Sequence, residues 1–419
     1  MKKYKEYKDS GVKWIGTIPS YWKRMRYKDI FQILDEKVGT IKDLTLLSLT
    51  KKGVIIRDLS EGKGKFPKDF ESYKIVHPNN LILCLFDVDE TPRTVGVSNT
   101  EGMITGAYDI FSVKNALLDY VYYLYLSFDD KKCLKPLYKG LRKVIPLPVL
   151  LSSYIYLPLE QEQQSIVNYL DTKVSKIDKY ISTAEKKIAA LDELKQVTIA
   201  DAVTHGINPD VPMKNSGIPW IGMVPEHWKL TRIKFLFNEI SEKEHPEEPC
   251  LCSTQKYGVI PQSMYENRVV VVNKGLENLK FVRKGNFVIS LRSFQGGIEI
   301  AYYQGIISAA YTILSLGNKN ISSNYIKYLF KSSPFIQLLQ TCVTGIREGQ
   351  NINYELLRRQ FIPIPTLSQQ NEIVAYIDRK VAQIDKMKAA ELAQIEKLKE
   401  YKQRLISDVV TGKVKVTNE

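Results

Sequence analysis

The chain carries the same thirteen-residue phrase twice, about 206 residues apart. Ser10-Gly11-Val12-Lys13-Trp14-Ile15-Gly16-Thr17-Ile18-Pro19-Ser20-Tyr21-Trp22 returns as Ser216-Gly217-Ile218-Pro219-Trp220-Ile221-Gly222-Met223-Val224-Pro225-Glu226-His227-Trp228. All 4 tryptophans of the protein lie in these two copies. The period is far longer than the roughly 20 to 50 residues of a solenoid unit, so this is a duplicated domain. A duplicated chain can build a pseudo-two-fold object. Such an object suits targets that come in two halves, such as a pair of DNA half-sites.

Further matches keep the same order. Gly53-Val54-Ile55 returns as Gly258-Val259-Ile260, Tyr120 and Tyr123 as Tyr325 and Tyr328, and Gly140-Leu141-Arg142 as Gly345-Ile346-Arg347. Ile166, Val167, Tyr169, Asp171, Val174, Ile177 and Asp178 return as Ile373, Val374, Tyr376, Asp378, Val381, Ile384 and Asp385. The ends of each copy match better than its middle. A shared framework with divergent readers is the simplest account.

Between the ends, short apolar runs such as Leu81–Phe86 and Phe287–Leu291 read as buried strands punctuated by Gly and Asn. Segments around Tyr120–Ser127 and Asn324–Phe330 read as helical. Each copy is therefore expected to form a compact α+β domain. After Pro158 and after Pro365 the pattern changes. From about Glu160 to Thr204 there is no proline or glycine. Apolar residues recur in steps of three and four: Val167, Leu170, Val174, Ile177, Ile181, Ala184, Ile188 and Leu191. That is a heptad seam, and the helix that carries it should be roughly 65 Å long. The second seam runs Val374, Ile377, Val381, Ile384, Ile395 and Leu398. It is interrupted by Lys388 and Glu391, whose spacing lets them pair with each other along one helix face. A seam on one helix cannot bury itself, and its duplicate, lying antiparallel, is the nearest partner. The expected segments are 1–157 and 230–364 for the two domains, and 158–205 and 365–412 for the two spacer helices. A linker and second repeat start fill 206–229, and a short tail fills 413–419. The start of the chain should lie close to its end.

Net charge is +14. The positive excess falls on residues 1–157 and 213–365, while 158–212 is net acidic; 213–365 holds no aspartate. Basic domains attract polyanions. No apolar run approaches the ~20 residues of a membrane helix, and Met1–Lys8 lacks the apolar core of a signal peptide. The 5 cysteines do not repeat between halves, which argues against a disulfide framework and for a cytoplasmic setting.

Catalytic constellations are missing. Gly11–Thr17 has the glycine spacing of a phosphate loop without its lysine and reads as a turn. Phe294-Gln295-Gly296-Gly297 is a weak echo of an S-adenosylmethionine loop. Cys250, Cys252 and His245 lack a second pair at zinc-ligand spacing. Asp87, Asp89 and Glu90 form an acidic cluster, a weak magnesium candidate with no copy in the other half. The residues point to a recognition protein and not to an enzyme.

With these motifs in hand, the chain resembles the specificity subunits of type I restriction–modification systems. The resemblance rests on the two Ser-Gly-x-x-Trp-Ile-Gly openings, the Pro158–Gln164 and Pro365–Gln370 helix starts, and the Thr-His-Gly and Thr-Gly helix ends. It implies two tandem-duplicated mixed α/β target-recognition domains separated by two long antiparallel coiled-coil helices, with pseudo-two-fold symmetry. It implies that each domain reads one half of a bipartite, asymmetric double-stranded DNA site. It also implies that the helices set the spacer and dock two methyltransferase subunits, which endonuclease/translocase subunits join. No cofactor is expected in this chain: S-adenosylmethionine would belong to the methyltransferase, ATP and Mg to the endonuclease. Contact candidates, taken from turn-rich basic stretches, are Lys51, Lys52, Arg57, Arg93 and Arg142 in the first domain. In the second they are Lys256, Gln262, Arg292, Gln295, Arg347 and Gln350. The competing reading is a non-catalytic scaffold that binds another polyanion or a protein.

Overall fold

The computed structural model describes residues 2–12, 14–39, 44–57, 70–140, 143–266, 274–345 and 350–416. The chain forms two compact units. The first comprises Met1–Ala184 with Ala393–Glu419, and the second Glu185–Leu392. Each unit thus takes in part of both long helices, Glu160–Thr204 and Leu367–Val410.

The units share a central sheet of the same strand order. In the first, a four-stranded antiparallel sheet is ordered Phe31–Leu34, Asp109–Val113, Leu81–Leu83, Val95–Val97. In the second, the same order is Phe237–Ile240, Thr312–Leu316, Phe287–Ile289, Glu299–Ile300. The inner strands read as continuous apolar runs because both their faces are covered. Leu81 and Leu83 face a large aromatic core with Phe31, Phe111 and Phe128, while Ile82 and Ile110 face a smaller one with Leu47, Val76 and Ile104. The second unit splits its residues the same way. Phe287 and Ile289 join Phe237 and Phe330, and Val288 and Ile313 join Leu251, Val282 and Ile307.

The repeated phrase is a turn, as its glycines suggested. Ser10 N donates to Gly16 O and Ser216 N to Gly222 O, at 3.0 and 2.9 Å. Gly16 and Gly222 have φ of 73° and 70° with open space where a Cβ would sit, so conformation alone asks for glycine there. The phrase ends on a Trp that is 2–3% exposed in each copy, Trp22 and Trp228. Each Trp packs on the glycine that ends a long helix: a Cβ on Gly412 would meet Pro19 and Trp22, and one on Gly206 would meet Trp228. The opening phrase and the Thr-Gly ending are therefore two sides of one contact. Lys415 N donates to Lys2 O at 2.9 Å, which brings the two ends of the chain together.

Within each unit the long helices run antiparallel. In the first, Val167, Leu170 and Ile177 are buried with Leu405, Ile406, Val409 and Val410, and Val174, Ile181 and Leu398 pack at the edge. In the second, Ile373 and Ile377 are buried with Ile199, Ala202 and Val203, with Val374 and Val381 beside them. Leu191, Ile384 and Ile395 are buried, and Ile188 is half-buried. Lys388 and Glu391 do not pair with each other. Lys388 reaches Asp192 at 2.6 Å, and Glu391 accepts from Lys187 at 2.5 Å. The expectation of a local pair is corrected: both residues bridge to the facing helix, so the charged interruption joins the helices.

Several of the other repeat matches are braces between each domain and its helices. Tyr120 Oη donates to Val410 O, and Tyr325 Oη to Val203 O, both at 3.0 Å. Tyr123 bonds Asp171, and Tyr328 bonds Asp378. Gln163, buried at the helix start, accepts from Leu117 N and donates to Pro158 O, each at 2.9 Å. Gln370 does the same with Ser322 N and Pro365 O. Among the described residues, no helix is long and apolar enough to cross a membrane.

Candidate nucleic-acid interface

In both units a two-stranded hairpin carries the first basic candidates. Leu47–Thr50 pairs with Gly53–Ile56, which puts Lys51 and Lys52 at the tip. Leu251–Thr254 pairs with Gly258–Pro261 around Gln255, Lys256 and Tyr257. A threonine closes each turn: Thr50 Oγ1 donates to Gly53 O and Thr254 Oγ1 to Gly258 O, both at 3.0 Å. The tips are exposed, so their cations stand in solvent.

In the second unit the hairpin forms one wall of a groove of about 1140 Å³. Lys256, Arg292 and Gln295 all line it, together with Tyr257, Tyr302 and Tyr303. Lys256 is therefore brought to one surface with Arg292 and Gln295, which are distant from it in sequence. Arg292 precedes and Gln295 sits on the one-turn helix Ser293–Gly296, which the outer strand Glu299–Ile300 follows. The floor holds Glu299, only 5% exposed, whose carboxylate accepts from Lys331 Nζ at 2.5 Å. Burial pushes the Glu299 carboxyl up to about 7, against the pull of Lys331. Lys331 also donates to Gln255 O at 3.1 Å, tying the hairpin tip to the floor. Gln262 lies outside this lining; its amide donates to Leu251 O at 3.4 Å across its own hairpin. Gln350 is exposed and also outside it.

The first unit arranges its candidates differently. A cleft of about 720 Å³ brings Lys51, Lys52 and Arg93 together with Lys132, Lys399 and Lys402. It also contains Asp129, Asp130 and Asp178. Arg93 is committed within the fold: its side chain is 17% exposed and its guanidinium donates to Asp129 and Asp130 at 2.9 and 3.0 Å. Arg57 follows the hairpin and is half-buried. Arg142 and Arg347, the candidates with a shared Gly-[Leu/Ile]-Arg setting, lie outside the described residues.

The weak chemical motifs have ordinary roles. Asp89 and Glu90 are bonded by Lys143 at 3.2 and 2.9 Å. His245 stacks on Phe281 with ring centroids 4.2 Å apart and bonds Glu242, while Cys252 is buried. Among the described residues, no three His, Cys, Asp or Glu side chains cluster as a metal site would need. Sequence reasoning missed Tyr257, Tyr302, Tyr303, Glu299 and Lys331. The Tyr302-Tyr303 doublet closing a strand, and a glutamate between Ile298 and Ile300, were the available signals.

Comparison with known proteins adds the following. Residues 225–397 match the type I restriction modification DNA specificity domain family. The EcoBI specificity subunit of an Escherichia coli type I restriction enzyme is 22% identical over 285 residues, 62% of this chain. The match spans only 58% of that relative's length. Two solved structures share the fold over nearly the whole chain. One belongs to a study of complex assembly and conformational transition in a type I R-M system. Its TM-score is 0.65 at 14% identity, covering 94% of this chain and 98% of that one. The other is the HsdS subunit of Thermoanaerobacter tengcongensis, at 0.50 and 15%, covering 95% and 98%.

Proposed function

We propose, from the premise that this chain belongs to the specificity subunits of type I restriction–modification systems, that it is the DNA-sequence-recognition subunit of such a complex. Each unit reads one half of a bipartite, asymmetric double-stranded site. The long helices set the unspecified spacer and dock two methyltransferase subunits, to which endonuclease/translocase subunits add. The chain itself is non-catalytic and acts in the cytoplasm. S-adenosylmethionine belongs to the methyltransferase, and ATP with Mg to the endonuclease.

One observation carries this reading. The two units share their framework brace for brace, yet differ where side chains face solvent. The groove of the second unit presents Arg292 and Gln295. The loop at the same place in the first unit, between Leu81–Leu83 and Val95–Val97, forms no helix and carries Phe86, stacked on Tyr108, and Asp89, bonded to Lys143. Equal frames with unequal surfaces suit two different half-sites. Cations at the hairpin tips neutralise phosphate and set register, and groove side chains then discriminate bases.

The test is to assemble the chain with its methyltransferase subunits and sequence the methylated bases. A split motif with two unlike halves is expected. The purified chain alone, given S-adenosylmethionine and the same DNA, should leave it unmodified. Methyl transfer by the isolated chain would overturn the non-catalytic role. Salt-insensitive duplex binding would favour a scaffold for another partner.

A further inference from the structure

We propose that Arg292 and Gln295 are the base-reading pair of the second unit, recognising a guanine and, within two base steps, an adenine from the major groove. The assignment rests on the DNA-reading function proposed above.

Both side chains are exposed and line the groove. Neither makes a hydrogen bond or ion pair with another described side chain, whereas Arg93 in the first unit is fully engaged. Arg offers paired donors that match guanine O6 and N7, and Gln offers the donor and acceptor that match adenine N6 and N7. Arg292 immediately precedes the one-turn helix Ser293–Gly296 and Gln295 lies within it, so both stand at the same edge of the groove. Long side chains so placed reach bases one or two steps apart.

Their platform is rigid. Ser293 Oγ accepts from Ser290 N at 2.9 Å, and Gly297 N donates to Ser293 O at 2.8 Å. Gly297 sits at φ 87°, where an added Cβ would come within 2.3 Å of Phe330 O. The backbone can take this path only with glycine, so the turn after Gln295 is fixed against the core. A reader needs a well-placed backbone beneath its side chains, and this turn fixes that backbone. The buried acid on the floor does not repel DNA, because Lys331 compensates it.

The pair also differs between units in the way a base reader should. Phosphate is common to every half-site, so a phosphate contact belongs to the shared framework. The loop at the same place in the first unit forms no helix, and its Asp89 is bonded by Lys143. A feature present in one reader alone is suited to what differs between half-sites. Lys256, on the hairpin that recurs with Lys51 and Lys52, is the phosphate contact beside it.

The experiment binds the methyltransferase-assembled chain to a pool of randomised DNA duplexes and sequences the bound fraction. The parent complex should select a guanine and a nearby adenine in one half of its motif. In Arg292→Ala the guanine preference should fall roughly 5- to 150-fold with the rest of the motif retained. In Gln295→Leu the adenine preference should fall instead. Both residues are exposed, so neither change should alter the fold, which circular dichroism and the intact other half-motif check. An unchanged motif, or an Arg292→Ala complex that binds every duplex more weakly with its guanine preference intact, overturns the assignment. A parent complex that selects no motif at all overturns the DNA-reading function, and the assignment with it.

Discussion

Glu299 shows how much a single residue can hide in an apolar run. Its neighbours Ile298 and Ile300 are buried, and the outer strand carries it under the groove, where Lys331 balances it. Burial raises its carboxyl from 4.5 to about 7. The folded state therefore holds a proton that the unfolded chain releases near pH 4.5. That favours the fold below about pH 4.5 and is lost as pH rises through about 7. Glu299→Gln has no such proton to lose. Relative to the parent, the variant should gain up to about 3 kcal/mol of stability between pH 4.5 and 8. Urea unfolding at both ends of that range measures it, and a difference that does not change with pH would rule this account out. Arg93 carries the complementary lesson. Its basic, turn-rich setting looked like a DNA contact, but Asp129 and Asp130 lie more than thirty residues away in sequence. Spacing cannot reveal a partner that only the fold brings near.

At the scale of elements, the heptad seam was legible from Val167 to Leu191 because apolar steps of three and four leave few alternatives. It was lost where Lys195 and Lys402 occupy seam positions. The helices keep packing beyond them, through Ile199, Ala202 and Val203 in one unit and Leu405, Ile406 and Val409 in the other. The lysines are matched across the pair: Lys195 bonds Asp385 at 2.8 Å and Lys402 bonds Asp178 at 2.7 Å. These pairs repeat under the duplication, Asp178 with Asp385 and Lys195 with Lys402. Their aspartates are half exposed, so each bridge should contribute about 0–1 kcal/mol. Lys195→Leu and Lys402→Leu should then be neutral or mildly stabilising. Ile377→Ala, at a site 0% exposed, should cost about 2–5 kcal/mol. Denaturant titration of the three variants checks the order. A loss of several kcal/mol from either lysine change would mean that the charged seam positions hold the pair together. The Lys388 and Glu391 correction belongs here too: along one helix they look like neighbours, and only the facing helix shows their true partners.

For the whole molecule, the duplication was the most legible feature, and the structure supplies its physical content. The matched residues are joints: Trp against the glycine at a helix end, Tyr hydroxyls on the last helical carbonyls, and Gln at each helix start. Joints repeat because both units solve the same assembly problem, while the groove residues are free to diverge. The proposed DNA contacts were hard to single out in the sequence because basic turn residues are plentiful. If the units read half-sites as proposed and the joints fix each unit to its helices, helix length becomes the variable that sets the spacer between them. Removing one heptad from each long helix, at facing positions so that the seam stays in register, shortens both by about 10 Å. That corresponds to roughly 3 base pairs at ~3.4 Å each. Methylome sequencing of the assembled variant should show the same two half-sites with a shorter spacer. The joints are untouched by the deletion, so the half-site sequences should not change. An unaltered spacer would show that something other than the helices measures the distance, and the ruler role would have to be given up while the identity of the two readers stood.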